Sequence, residues 1–114
     1  MSPAYNYRAD FLEYLSNGDI AFLVDLGFET YRKVTVSMIE ACPYSEANGS
    51  SHTISLGAMA REYVEGKLSK AKSIVIDVEN CGDKYSARIY YGMNGGALHN
   101  LARELLDMGL ATAN

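Results

Sequence analysis

The sequence predicts an α+β fold, mainly β: a five-stranded barrel with one helix between strands three and four and a second helix at the C-terminal end. Three observations lead there. The spacing of apolar residues changes along the chain in the order strand, strand, strand, helix, strand, strand, helix. An Asn17-Gly18 dipeptide marks a tight hairpin between the first two apolar runs. Finally, 114 residues with 48% apolar content bury one core and leave little room for a second, so residues 4–112 are expected to form a single domain.

Two strand-like runs, Tyr5 to Leu15 and Ile20 to Leu26, flank Ser16-Asn17-Gly18-Asp19, whose Asn-Gly pair favours the positive backbone angles of a hairpin turn. After Leu26-Gly27-Phe28-Glu29, the segment Thr30 to Met38 alternates Lys33, Thr35 and Ser37 with Val34, Val36 and Met38, the period of a half-buried strand. From Cys42 to Thr53 the apolar signal gives way to Pro43, Ser45, Asn48, Gly49, Ser50 and Ser51, which predicts a mobile surface loop. Helical spacing follows, with Leu56, Met59, Ala60, Tyr63, Val64 and Leu68 on one face and Arg61, Glu62, Glu65 and Lys67 largely on the other. Ser73 to Val78 and Lys84 to Tyr91 read as two more strands, separated by a Glu79-Asn80-Cys81-Gly82-Asp83 reversal. Asn94-Gly95-Gly96 reads as a turn into a last helix carrying Leu98, Leu101, Ala102, Leu105 and Leu106, closed by Gly109. This order fits a five-stranded OB-type barrel.

Composition narrows the function classes. Fourteen acidic against ten basic side chains give a formal charge of -4, which opposes the phosphate neutralisation behind nonspecific nucleic-acid binding. The start, Met1-Ser2-Pro3-Ala4-Tyr5, lacks a basic segment followed by an apolar run, and no apolar stretch is long enough to span a bilayer; a cytoplasmic location is expected. Cys42 and Cys81 lack the paired spacing of a zinc site and are expected to be reduced thiols. Nine tyrosines and no tryptophan suggest contact surface, because Tyr5, Tyr7, Tyr14, Tyr31, Tyr44, Tyr90 and Tyr91 cannot all be core. His52 is expected in the loop and His99 on the exposed side of the last helix.

Several short segments, taken in order, carry a resemblance. Asn17-Gly18-Asp19, Val24-Asp25-Leu26-Gly27-Phe28, Pro43, Asp83-Lys84-Tyr85 and Asp107-Met108-Gly109-Leu110-Ala111 together look like a staphylococcal-nuclease-like (thermonuclease) domain spanning Tyr7 to Ala111. That family cleaves phosphodiesters with a calcium ion held by two aspartates, a carboxylate that helps activate water, and two arginines that stabilise charge at phosphorus. The resemblance places Asp19 at the first metal-ligating aspartate, with Ile20 where the family has threonine. Its strand-three arginine has no counterpart in Thr35-Val36-Ser37. The family's Asp-Thr-Pro-Glu motif reads Ala41-Cys42-Pro43-Tyr44, which removes the second ligand and the base; Arg88, after Asp83-Lys84-Tyr85-Ser86-Ala87, is a displaced candidate for the second arginine.

The resemblance therefore implies a catalytically impaired domain, with Asp19 as a weak, vestigial metal ligand or simply a polar turn residue. The leading expectation is a protein-binding accessory or inhibitor, extended by the resemblance to a phage or mobile-element protein directed at a host defence component, acting in the host cytoplasm. Its contact surface would be Asp19, Glu40, Tyr44, His52, Arg88 and the Ser45 to Thr53 loop. No cofactor is expected in that case. The alternative is a divergent endonuclease using calcium with Asp19, Glu40, Glu46 and Arg88. A third reading is a single-stranded nucleic-acid module that stacks bases on aromatic side chains. Self-association is compatible with the exposed tyrosines, and a membrane partner is not expected.

Overall fold

The hairpin at Asn17-Gly18 starts the barrel. The structure is a computed structural model that describes residues 5–46, 49–81, 84–93 and 97–113. Strand β1 (Tyr5–Tyr14) turns back into β2 (Ile20–Asp25) through two hydrogen bonds, Gly18 N to Leu15 O at 2.9 Å and Leu15 N to Asp19 O at 2.8 Å. Only Gly18 has positive φ (93°), while Asn17 does not, so the turn is a three-residue loop closed by a left-handed glycine rather than the expected pair of positive angles. Gly18 is buried because the turn lies on Pro43: an added Cβ there would stand 3.3 Å from the proline Cβ.

Strand β1 serves two neighbours. A register shift between Phe11 and Glu13 bends it, so that residues 9–14 pair with β2 while residues 5–8 pair antiparallel with β5 (Ser73–Cys81). Strand β2 pairs with β3 (Tyr31–Met38), and β5 pairs with β6 (Lys84–Gly92). The barrel closes where Val36, Ser37 and Met38 of β3 pair in parallel with Tyr85, Ser86 and Ala87 of β6. The result is a closed five-stranded mixed barrel of OB type, as the sequence predicts.

Alternation decides what fills it. Ile20, Phe22 and Val24 of β2, Val36 and Met38 of β3, Ile76 of β5 and Ile89 of β6 point inward and are buried. Each such side chain contributes roughly 1.5–3 kcal/mol through burial. Helix α1 (Ser51–Lys70) lies between β3 and β5 in sequence and closes the barrel with Ala60, Val64 and Leu68, while α2 (Leu101–Asp107) adds Leu101 and Leu105. Two short pairings complete the fold. Strand β4 (Ala41–Pro43) pairs antiparallel with β8 (Ala111–Ala113), and β7 (His99–Asn100) adds to β6.

The differences from the sequence expectation have local causes. The predicted Cys42 to Thr53 loop is shortened at both ends, because Ala41–Pro43 pairs with the C-terminal strand and the helix starts at Ser51. Ser50 caps that helix, its Oγ accepting from the Thr53 amide at 3.3 Å, so the polar Ser51-His52-Thr53 run is a first helical turn rather than coil. His52 is consequently an exposed helix residue, not a loop residue. The buried stripe of α1 runs through Gly57, Ala60, Val64 and Leu68, which leaves Met59 on the far side, 51% exposed, and brings Arg61 to the edge of the barrel. Leu98 is exposed and precedes α2, and His99 lies in β7 rather than on that helix, because the Asn100 side chain caps α2 by accepting from the Arg103 amide. Strand β5 runs on through Glu79 to Cys81, into the predicted reversal, whose Gly82-Asp83 centre lies outside the described residues. The Asn94-Gly95-Gly96 turn also lies outside them.

The turn between β2 and β3 carries strain. Phe28 and Glu29 both have positive φ (53° and 62°), and the Thr30 amide donates to the Gly27 carbonyl at 2.9 Å. Such angles cost non-glycine residues about 1–2 kcal/mol each.

Gly57 provides a test of the packing between α1 and the segment after β4. A Cβ at this position would stand 2.7 Å from the Ser45 carbonyl carbon and 2.8 Å from the Tyr44 carbonyl oxygen, both backbone atoms. Helix propensity alone favours alanine over glycine by about 1 kcal/mol, whereas overpacking against backbone costs about 1–3 kcal/mol. Gly57→Ala is therefore expected to lower the free energy of unfolding by about 1 kcal/mol in urea titration, the opposite sign to propensity.

Candidate functional site

A groove of about 410 Å³ lies where the β1–β2 turn, the end of β3 and strand β4 meet the outer wall of β5 and β6. Asp19, Glu40 and Glu79 line it with Met38, Ile39, Ala41, Cys42 and Pro43. The barrel topology thus brings Asp19 and Glu40 to one surface.

Asp19 belongs to its own turn. Its backbone amide donates to Asn17 Oδ1 at 3.0 Å, and its carboxylate accepts from Asn17 Nδ2 at 3.3 Å. Glu40 reaches the groove by a different route. Strand β3 ends at Met38, and Glu40 has φ 78°, so a left-handed kink turns its side chain toward the wall of β6. The alternation rule that would send a one-residue slip to the opposite face does not apply past the end of the strand.

Arg88 is the cation on this wall, and carboxylates surround it. Its Nε donates to Glu40 Oε1 at 3.1 Å and its Nη1 to Glu79 Oε1 at 3.4 Å, while Asp77 Oδ2 stands 3.8 Å from Nη1. Asp77 is directly opposite Arg88 in the β5–β6 ladder, and its other oxygen, Oδ1, is buried with no hydrogen-bond partner among the described residues. Bonding to Glu40 and then to Glu79 raises the proton affinity of the guanidinium above its ordinary value. One positive charge faces three negative ones. Beside this group, Ser37 and Ser86 share a 3.0 Å hydrogen bond across the parallel β3–β6 seam.

The other expected site residues lie elsewhere. Glu46 does not face the groove; its Oε1 accepts from Arg61 Nε of α1 at 2.6 Å, and Arg61 sits 5.6 Å above the Tyr14 ring. Tyr44 is half-buried, with its amide bonded to the Leu110 carbonyl at 3.3 Å. His52 is exposed on the first turn of α1. Among the described residues, no group of three or more His, Cys, Asp or Glu is placed to hold a metal ion. Nor is any helix among them long and apolar enough to cross a membrane.

Two polar groupings escaped the sequence reading. One is the Arg88 set, whose signal is a carboxylate, Asp77, inside the apolar Ile74-Val75-Ile76-Asp77-Val78 run. The other is centred on Glu104, which interrupts the apolar stripe of α2. Glu104 Oε1 accepts from Tyr63 at 3.1 Å and also from Tyr91, and Oε2 stands 3.8 Å from His99 Nδ1. Burial first, then the bond to Glu104, raises the Tyr91 phenol above its ordinary range. This second group ties α1, β6, β7 and α2 together.

No protein-family model matches the chain, and no curated protein matches it in sequence.

Two outcomes follow from these contacts. Removing the cation in Arg88→Ala leaves Glu40, Asp77 and Glu79 facing one another, which should lower stability by about 1 kcal/mol in urea unfolding. Adding Asp77→Asn to that variant should recover part of the loss.

Tyr14 provides the second. Its hydroxyl is buried without a hydrogen-bond partner among the described residues, and burial, then the Glu46 charge, pushes its phenol up to about 12. An unfolded tyrosine ionises near pH ~10. The unfolded chain therefore releases this proton first as pH rises. The stabilisation is complete below pH ~10 and falls by about 2 kcal/mol toward pH ~12. Tyr14→Phe should make this alkaline loss shallower and, by removing an unsatisfied group, raise stability at neutral pH by about 1 kcal/mol. Urea titrations of both proteins across that pH range provide the check.

Proposed function

We propose that the chain is a binding domain: a nuclease-like OB barrel that no longer cleaves phosphodiesters and engages another protein through the groove at Asp19, Glu40 and Glu79. The observation that carries this reading is the state of Arg88. A phosphodiester needs an available cation to offset its charge, and more so in the transition state. Here the guanidinium is already shared among Glu40, Glu79 and Asp77, and Asp19 adds a further carboxylate to the groove. Such a surface repels phosphate and attracts basic side chains. Beside the carboxylates, the half-buried Ile39 and the exposed Cys42 suit a partner that presents lysine or arginine next to a small apolar surface. The partner implied by the resemblance, a component of a host defence system met by a phage or mobile-element protein, belongs to this proposal.

The nuclease alternative is separable by cleavage. Single- and double-stranded DNA and RNA, incubated with the chain and calcium, magnesium or manganese, should remain intact, with Asp19→Ala indistinguishable from the natural chain. Metal-dependent cutting that Asp19→Ala abolishes would replace this reading with a rebuilt catalytic site. Binding gives the positive arm. A lysine-rich peptide should bind measurably by calorimetry, more weakly at high salt, and more weakly still to Glu40→Gln/Glu79→Gln.

A further inference from the structure

The turn that starts the barrel is built on Asn17-Gly18, and an asparagine before glycine is open to attack by the chain itself, because glycine puts no Cβ beside its backbone nitrogen. In that reaction Gly18 N bonds to Asn17 Cγ, the Cγ–Nδ2 bond breaks, and ammonia leaves with the proton that Gly18 N gives up. Water then opens the five-membered imide at either carbonyl. The product is aspartate at position 17 or its β-linked isomer, whose main chain runs through the side-chain carbons and is one atom longer. Neither step needs an oxidant or a reductant.

The folded turn opposes this chemistry at each point. Gly18 N donates its hydrogen to Leu15 O at 2.9 Å, one of the two bonds that close the β1–β2 hairpin, and the imide has no hydrogen there to donate. Ring closure therefore breaks the hairpin as it proceeds. The Asn17 side-chain amide is tied at both ends: Oδ1 accepts from the Asp19 amide at 3.0 Å, and Nδ2 donates to Asp19 Oδ2 at 3.3 Å. Gly18 is buried on Pro43, where the β-linked isomer would have to fit an extra backbone atom. Asn17 itself is exposed and lines the same groove as Asp19 and Glu40. A carboxylate formed there meets Asp19 Oδ2 where an amide now donates to it, so reaction replaces a hydrogen bond with a like-charge contact.

We propose that Asn17-Gly18 is a modification site held in reserve by the fold: the bonds to Leu15 and Asp19 keep it from deamidating while the hairpin is closed, and each opening of the turn admits a reaction that irreversibly adds a carboxylate to the groove. Nothing in this chemistry depends on what the groove binds, so it stands or falls independently of the protein-binding reading.

Peptide mapping of the full chain by mass spectrometry, after incubation at mildly alkaline pH with and without a denaturing concentration of guanidinium chloride, follows the gain of one mass unit at Asn17. The denatured chain should react at least about tenfold faster than the folded one, a ratio that reports how rarely the turn opens. Asp19→Ala should raise the folded rate severalfold and leave the denatured rate unchanged, whereas Asp19→Asn, which keeps an oxygen acceptor, should stay near the natural rate. Equal rates in the folded and denatured chain, an Asn17 that fails to react in denaturant, or a folded rate indifferent to Asp19→Ala overturns the proposal. Should Asp19→Ala lose its fold, the ratio of denatured to folded rates in the natural chain decides alone.

Discussion

The parallel ladder between Val36–Met38 and Tyr85–Ala87 is the constraint on which both the barrel and the groove depend. Without it, β3-β2-β1-β5-β6 would be an open sheet with β3 exposed at one edge. The ladder is only three residues long, extended by the Ile39 amide, which bonds the Ala87 carbonyl at 2.9 Å. It joins segments 49 residues apart, so its closure entropy must be offset by the core that it seals rather than by its own few hydrogen bonds. Ile20, Phe22, Ile76 and Ile89 supply that burial. Ser37 and Ser86 satisfy each other at the seam, where two isolated hydroxyls would each need another partner.

The same closure sets the electrostatics of the groove. Two residues beyond Ser86, on the same outward face of β6, stands Arg88; two beyond Met38, after the left-handed kink, stands Glu40. Closure therefore delivers a carboxylate to an arginine that already faces Asp77 and Glu79 across the β5–β6 pair. Arg61 is used in a similar way, engaged by Glu46 above Tyr14. Glu104 is engaged by two tyrosines. The charged groups at these three places answer to one another.

The five barrel strands were legible because each contributes an alternating apolar set to one closed core, and the Asn17-Gly18 turn fixed where the first hairpin reverses. Strands β4, β7 and β8 were not. With two or three residues each, they have no periodicity to read, and the Pro43 that argues against a central strand is tolerated in the short β4–β8 pairing. The start of α1 was hidden for a related reason: Ser51-His52-Thr53 is polar because it is the exposed first turn beyond a serine cap, and polarity alone looks the same in a loop. Of the site, Asp19 and Glu40 line one groove and Arg88 stands beside Glu40, an arrangement made by barrel closure and not by any local pattern. The partners Asp77 and Glu79 depended on the exact β5–β6 register, and Glu46 was drawn away by a helix whose rotation the apolar pattern misjudged at Met59 and Arg61.

Burial adds an argument about how firmly the groove is committed to its present chemistry. The resemblance assigns the missing second metal ligand to position 41, which here is an alanine only 1% exposed, facing inward from a strand paired with β8. A carboxylate in that place would have to be desolvated without a cation at hand, because Arg88 is already engaged by Glu40, Glu79 and Asp77. Pro43, two residues on, is buried against Gly18, so the segment cannot lift away to expose position 41 without releasing the turn that carries Asp19. A single carboxylate placed at position 41 would therefore not make a metal site. The backbone between β3 and α1 is packed as core on one side and as groove on the other.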